Sequence, residues 1–304
     1  MRTAPALRQP AMSPQASRRR LSLGTFACAV LVLASILGPS SAFSAPSAAG
    51  DSDQPAAQGS AVAQASSDSQ ISPSSIEVHN GQFESAGKPV EDFYCVPPAP
   101  GAHPAVILLH GAVPRGYGNE EFAERCRKLA AAGYYAMFLE YYSGAGPARP
   151  GDLPVSGKGF AAWVNGNFPT WTREIADGIN VLGQNPAVKR DRIALIGHSL
   201  GAFLALAVGA SEGGRVAAIV EYYGAMNRSY VAMAANMPPT LILHGSADTT
   251  IPVRYAYDLD TLLTKYNRPH EMKIYPGAGH GLDPKTRADA WQRSLDFLRR
   301  YLGR

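Results

Sequence analysis

From residue 75 onward the hydrophobic and polar positions alternate between two periods. Short apolar, β-rich runs are separated by stretches with helical spacing. Ser75–Glu84 and Val90–Val96 read as two strands, joined by a turn at Ala86-Gly87-Lys88-Pro89. Ala105–Leu109 is an uninterrupted apolar run, the pattern of a strand covered on both faces. Asn119–Ala132 repeats apolar residues at Phe122, Cys126, Leu129 and Ala130 and stops at Gly133, which predicts a helix. Tyr134–Glu140 follows as a strand.

The pattern then lapses. Tyr142–Pro169 is rich in glycine and proline, yet carries Phe160, Trp163 and Phe168. It is read as a long irregular connection, and its aromatics, with Tyr142, are candidates to line a substrate pocket or to cap the core. Periodicity resumes with a helix over Trp171–Leu182 and a buried strand over Arg192–Ile196. Leu200–Gly209 is a helix of small and apolar residues. Beyond it come strands at Val216–Tyr222, Thr240–Leu243 and Glu271–Tyr275, with helices at Val253–Tyr266 and Pro284–Leu302. Strands alternating with helices in this order predict an α/β fold in one domain, with a mostly parallel central sheet and helices on both faces.

The first 74 residues follow neither period. Five arginines lie within residues 1–20, the apolar run Leu21–Leu37 follows, and small residues close it at Ser40–Ala45. Basic, apolar, then small is the order of a secretory signal peptide, here residues 1–44, with cleavage after Ala42 or Ser44. An uncleaved anchor is the competing reading. Arg18-Arg19-Arg20 suits the twin-arginine route, and the leucine-rich core suits the general secretory route equally. Both place the protein in the periplasm or outside the cell, with no stable membrane anchor after cleavage. Nothing before Cys28 resembles a lipoprotein signal. Residues 45–74 hold almost no large apolar side chains and are read as a disordered linker.

Charge changes meaning once it is located. The chain of 304 residues carries 28 basic and 24 acidic side chains, a net of +4. Without residues 1–44 the balance is −1, and residues 71–304 alone carry +2. No basic cluster remains to suggest nucleic-acid binding. Cys95 and Cys126 would both survive export, one on a strand and one on a helix, and the sequence leaves their pairing open. The seven histidines show no metal-ligand spacing, so neither metal nor other cofactor is expected.

The candidate chemistry lies in three loops that each follow a strand. Gly197-His198-Ser199-Leu200-Gly201 fits the Gly-x-Ser-x-Gly nucleophile elbow, set between an apolar strand and a helix. Asp248 follows Thr240–Leu243, where a carboxylate that orients an imidazole belongs. His280 sits in the glycine-rich loop after Glu271–Tyr275. The order Ser199, Asp248, His280 is that of an α/β-hydrolase triad, so these three are the candidate catalytic residues. An oxyanion hole needs two aligned N–H groups. The candidates are the amides of Leu200, just after the nucleophile, and Ala112, in the loop after Ala105–Leu109.

From Ala105 onward the chain resembles the dienelactone hydrolase family of α/β-hydrolases. The resemblance rests on His110-Gly111, Tyr141-Tyr142, the Ser199 elbow, Tyr222-Tyr223-Gly224, Asp248 with Pro252, and Ala278-Gly279-His280. It implies hydrolysis of a small-molecule carboxylic ester or lactone. Two departures stand out. The name-giving enzymes use a cysteine nucleophile where this chain has Ser199. They also have an acidic residue at the place of Gly111 and an arginine shortly after the catalytic histidine, where this chain reads Gly281-Leu282-Asp283-Pro284. A neutral ester therefore fits better than dienelactone. An acyltransferase, a peptidase, or a binding protein on an inactive hydrolase scaffold are the alternatives.

Overall fold

The computed structural model describes residues 71–113, 116, 118–143 and 157–303, and the expected signal peptide falls outside them. A single 3₁₀ turn at Pro73–Ser75 lies partly inside the stretch expected to be disordered, and Ile76 just beyond it is buried. The hairpin strands are β1 (His79–Ser85) and β2 (Lys88–Cys95). Their turn is tighter than expected: Ser85 pairs with Lys88, and Ala86 and Gly87 both take positive φ, at 49° and 75°.

Then follow β3 (His103–Leu109), α1 (Asn119–Ala131), β4 (Tyr135–Glu140), α2 (Gly157–Gln184), β5 (Val188–His198) and α3 (Leu200–Ser211). β6 (Ala218–Tyr222), a 3₁₀ segment (Arg228–Asn236), β7 (Thr240–Gly245), α4 (Arg254–Lys265), β8 (His270–Tyr275) and α5 (Pro284–Leu302) complete the chain. The eight strands form one sheet in the order β1-β2-β4-β3-β5-β6-β7-β8. The β1–β2 and β2–β4 pairs are antiparallel, and every pair from β4 to β8 is parallel.

Burial explains the apolar runs. β3, β4, β6 and β7 are buried along their whole length, because helices cover both faces. One face joins Ile107, Leu195, Ile219 and Ile242 to residues of α2, α3 and α4; the other joins Val106, Ile196 and Leu243 to residues of α1 and α5. α3 is buried from Leu200 to Ala210, which is why it lacks a polar face. Among the described residues no helix is long and apolar enough to cross a membrane.

The stretch expected to be irregular is corrected by the structure. Its second half, from Gly157, is the first part of the 28-residue helix α2, which runs through Pro169. Val164, Phe168, Trp171, Ile175, Ile179 and Leu182 are buried at spacings of three and four, so one apolar stripe continues past the proline. The Thr172 hydroxyl donates to the Phe168 and Pro169 carbonyls (3.1 and 3.0 Å) at the point where the proline interrupts the ladder. Residues 144–156 of that stretch lie outside the described residues.

Cys95 and Cys126, left open by the sequence, form a disulfide with a Cα separation of 5.7 Å. Insertion of antiparallel β2 beside β4 brings Cys95 under α1.

Candidate active site

The carboxyl ends of β3, β5, β7 and β8 open on one rim, where ligands bind in open α/β sheets. At the end of β5 the chain turns sharply into α3, and Ser199 occupies the corner with φ 53° and ψ −117°. A side chain is strained there. The flanking glycines are required by close approach. A Cβ on Gly197 would lie 2.6 Å from the Ala202 amide nitrogen, and one on Gly201 would lie 2.6 Å from the Leu109 carbonyl oxygen and overlap that of His110. The Ser199 amide donates to the Tyr222 carbonyl (2.9 Å), tying the corner to β6.

Ser199, Asp248 and His280 come together in one hydrogen-bonded line. His280 Nδ1 donates to Asp248 Oδ2 at 2.8 Å, which leaves Nε2 to accept from Ser199 Oγ at 3.0 Å. The Asp248 side chain is fully buried, while a quarter of the His280 side chain is exposed. Asp248 Oδ1 accepts from the amides of Thr250 and Ile251 (2.8 and 2.9 Å), so the loop after β7 is folded around the carboxylate. Burial alone would raise the pKa of Asp248, but hydrogen bonds from His244 and His280 outweigh it and hold the group well below the usual carboxylate range. The Tyr223 ring stands edge-on to His280, with centroids 4.8 Å apart.

The two candidate oxyanion donors come from the residue after Ser199 and from the loop after β3. Leu200 opens α3, and the first amide of a helix has no partner within it. Ala112 follows Gly111, whose Cβ position lies 3.3 Å from Ser199 Cβ and 3.4 Å from the His198 carbonyl oxygen. The loop that carries Ala112 is anchored by His110 and Tyr141, both among the residues that carry the resemblance, and by Glu140, which sequence reasoning missed. His110 Nδ1 donates to the Gly111 carbonyl at 2.7 Å, and its Nε2 faces Glu140 Oε1 at 3.1 Å. The ring stacks on Tyr141 at 4.0 Å, and the Tyr141 hydroxyl donates to the His110 carbonyl (2.8 Å). Burial would push Glu140 up, but His110 holds it below the ordinary value. The available signal was a carboxylate ending an otherwise apolar strand.

The three aromatic pocket candidates separate. Tyr142 is 1% exposed, wedged against His110, Trp163 and Trp171, so it belongs to the core and presents no surface to a ligand. Phe160 and Trp163 are half-buried and meet at a tilt of 37°, with ring centroids 5.9 Å apart, at the outer edge of the same cluster. Tyr142 was drawn inward because it directly follows Tyr141, the residue that holds the β3 loop. Among the described residues no group of three His, Cys, Asp or Glu side chains is placed to hold a metal ion.

Comparison with known proteins places the fold and the family. A presumed 2-oxo-3-(5-oxofuran-2-ylidene)propanoate lactonase of Bradyrhizobium sp is 25% identical over 229 residues, covering 68% of this chain and 87% of that protein. A presumed carboxymethylenebutenolidase of Salmonella typhimurium is 27% identical over 242 residues, covering 72% and 86%. Among solved structures, the dienelactone hydrolase-like promiscuous phosphotriesterase P91 from metagenomic libraries superposes with a TM-score of 0.65 at 17% identity, covering 75% of this chain and 99% of that one. The model of the dienelactone hydrolase family matches residues 91–302. The chain is an α/β-hydrolase and belongs to the dienelactone hydrolase family.

Proposed function

We propose that this hydrolase cleaves carboxylic esters or lactones through an acyl-enzyme on Ser199. The observation that carries the reading is the unbroken hydrogen-bond line from Ser199 through His280 to buried Asp248. His280 takes the serine proton as Oγ attacks the carbonyl carbon. Asp248 fixes the imidazole tautomer and stabilises its charged form. The amides of Leu200 and Ala112 receive the oxyanion, and loss of one such donor costs roughly 10²–10³ in turnover. His280 then protonates the leaving oxygen, and a water activated by the same ring releases the acid.

The relatives named as lactonase and butenolidase support the substrate class. Gly111 leaves no acidic side chain over Ser199, and Gly281–Pro284 supplies no arginine for a substrate carboxylate. The favoured substrate is therefore a neutral ester. Ser199→Ala is expected to abolish p-nitrophenyl ester cleavage and labelling by a fluorophosphonate; retention of full activity overturns the assignment. We further propose that residues 1–44 are removed on export, which the mass of the protein recovered from the periplasm or medium checks.

A further inference from the structure

Behind Asp248 lies a second acid and a second imidazole that the proposed mechanism does not use. His244 sits near the end of β7 with 0% exposure, and Glu221 sits in β6, also at 0%. Glu221 pairs with Ile242, so strand alternation sets His244, two residues on, on the same sheet face as Glu221. His244 Nε2 lies 2.7 Å from the Ile251 carbonyl oxygen and 3.4 Å from Asp248 Oδ2. Both neighbours are acceptors, so Nε2 carries a proton. The opposite nitrogen, Nδ1, is buried with no hydrogen-bond partner among the described residues, and so is Glu221 Oε1. The other Glu221 oxygen accepts from the Gly224 amide at 2.7 Å.

The charge inventory is short. Glu221 from β6 and Asp248 from the loop after β7 are the ionisable groups that act on His244, and His280 from the loop after β8 acts on Asp248. α4 packs on the same face through Tyr255, Ala256, Leu259 and Leu263, while its Arg254 and Asp258 are exposed. The part of α3 packed over this face, Leu200–Ala210, carries no charge. Two buried carboxylates beside a neutral imidazole would leave a double negative charge in an apolar layer, which is prohibitively costly. One proton must therefore reside in the cluster. Asp248 is the least basic site for it, because two amides and two imidazoles already donate to its oxygens.

We propose that Glu221 is a positioning residue that keeps His244 as an imidazolium, so that Asp248 Oδ2, the oxygen that accepts from His280, also faces a buried cation. This rests on the reading of Ser199, Asp248 and His280 as a triad. Both groups beside Asp248 gain proton affinity, and Glu221 competes with the ring for the one proton. Burial raises Glu221 to about 7, and His244 is raised as well, its burial outweighed by the Asp248 hydrogen bond and the Glu221 charge. The consequence concerns His280. Part of the charge on Asp248 Oδ2 is balanced by His244, so it binds a proton on His280 less tightly, and the free base needed for attack survives to lower pH.

The test is the ring charge of His244 in the intact protein labelled with ¹⁵N-histidine, assigned through ring-to-backbone correlations. The expected result is that both His244 nitrogens carry protons at pH 7–8, and that Glu221→Gln removes one. A neutral His244 in the unsubstituted protein overturns the proposal without any variant having to fold. In Glu221→Gln the acid limb of kcat/KM should move up by roughly half a pH unit, about a threefold loss on that limb, with little change above it. The Gln side chain keeps the shape and the Gly224 contact, so a purely structural role predicts no movement of the limb, and an unmoved limb overturns the proposal. Failure of the triad reading shows separately, as Ser199→Ala that stays active whatever the charge on His244.

Discussion

The strained corner at Ser199 leads to a prediction that separates stability from activity. Ser199 holds φ 53° and ψ −117°, a conformation a Cβ-bearing residue reaches at a cost of about 1–3 kcal/mol and glycine adopts freely. Its side chain makes no capping hydrogen bond to α3, so removing it exposes no helix end. Ser199→Ala retains the strain, and Ser199→Gly releases it. Both lose the same partly exposed contact to His280, which cancels in the comparison. Against the relief, glycine adds up to about 1 kcal/mol of backbone freedom to the unfolded chain. The Gly variant should then be more stable than the Ala variant by about 1 kcal/mol, or about 2–4 °C in Tm for a folded body of this size. Thermal and urea melts followed by circular dichroism measure it, with both variants inactive toward p-nitrophenyl esters. A Gly variant that melts at or below the Ala variant would refute the claim that the elbow stores strain.

Two further outcomes follow from buried groups elsewhere. Cutting the Cys95–Cys126 bridge, which spans 31 residues, with dithiothreitol or as Cys95→Ser/Cys126→Ser should cost about 3–4 kcal/mol and lower Tm by on the order of 10 °C; coincident oxidised and reduced melts would count against it. Asp92 is buried in β2 with Oδ1 unpartnered among the described residues, and burial raises its pKa to about 6. The folded state therefore binds this proton more tightly than the unfolded chain, and stability is lost as pH rises from about 4 to about 6. Asp92→Asn should stabilise the protein by roughly 1–3 kcal/mol at pH 7 and scarcely at pH 4, and equal effects at both pH values would contradict the burial argument.

What the sequence made legible followed from local rules. An apolar run such as Ala105–Leu109 is buried on both faces wherever its neighbours lie; Ser199 and Asp248 each follow such a run, and His280 follows the half-buried edge strand β8. Pro169 misled because a proline is read as a helix stop, although the stripe Val164, Phe168, Trp171 was already periodic across it. The remaining features depend on which strands are neighbours. Glu140 meets His110 only because β4 lies beside β3, and Glu221 approaches His244 only because β6 lies beside β7. Cys95 meets Cys126 for the same kind of reason. A lone carboxylate in an apolar strand signals a hidden partner but does not name it.

Gly111 bears on how this site changes over evolutionary time. Its Cβ position lies 3.3 Å from Ser199 Cβ and 3.9 Å from Ser199 Oγ, and its φ is not in the left-handed region, so the backbone there tolerates other residues. Whatever side chain a single codon change places at 111 projects directly over the nucleophile. An acid there would repel anionic substrates or hold a proton beside the attacking oxygen, and a methyl group would narrow the approach of branched esters. Substrate range and reaction pH can thus be retuned at one residue, with the relay of Ser199, His280 and Asp248 left untouched.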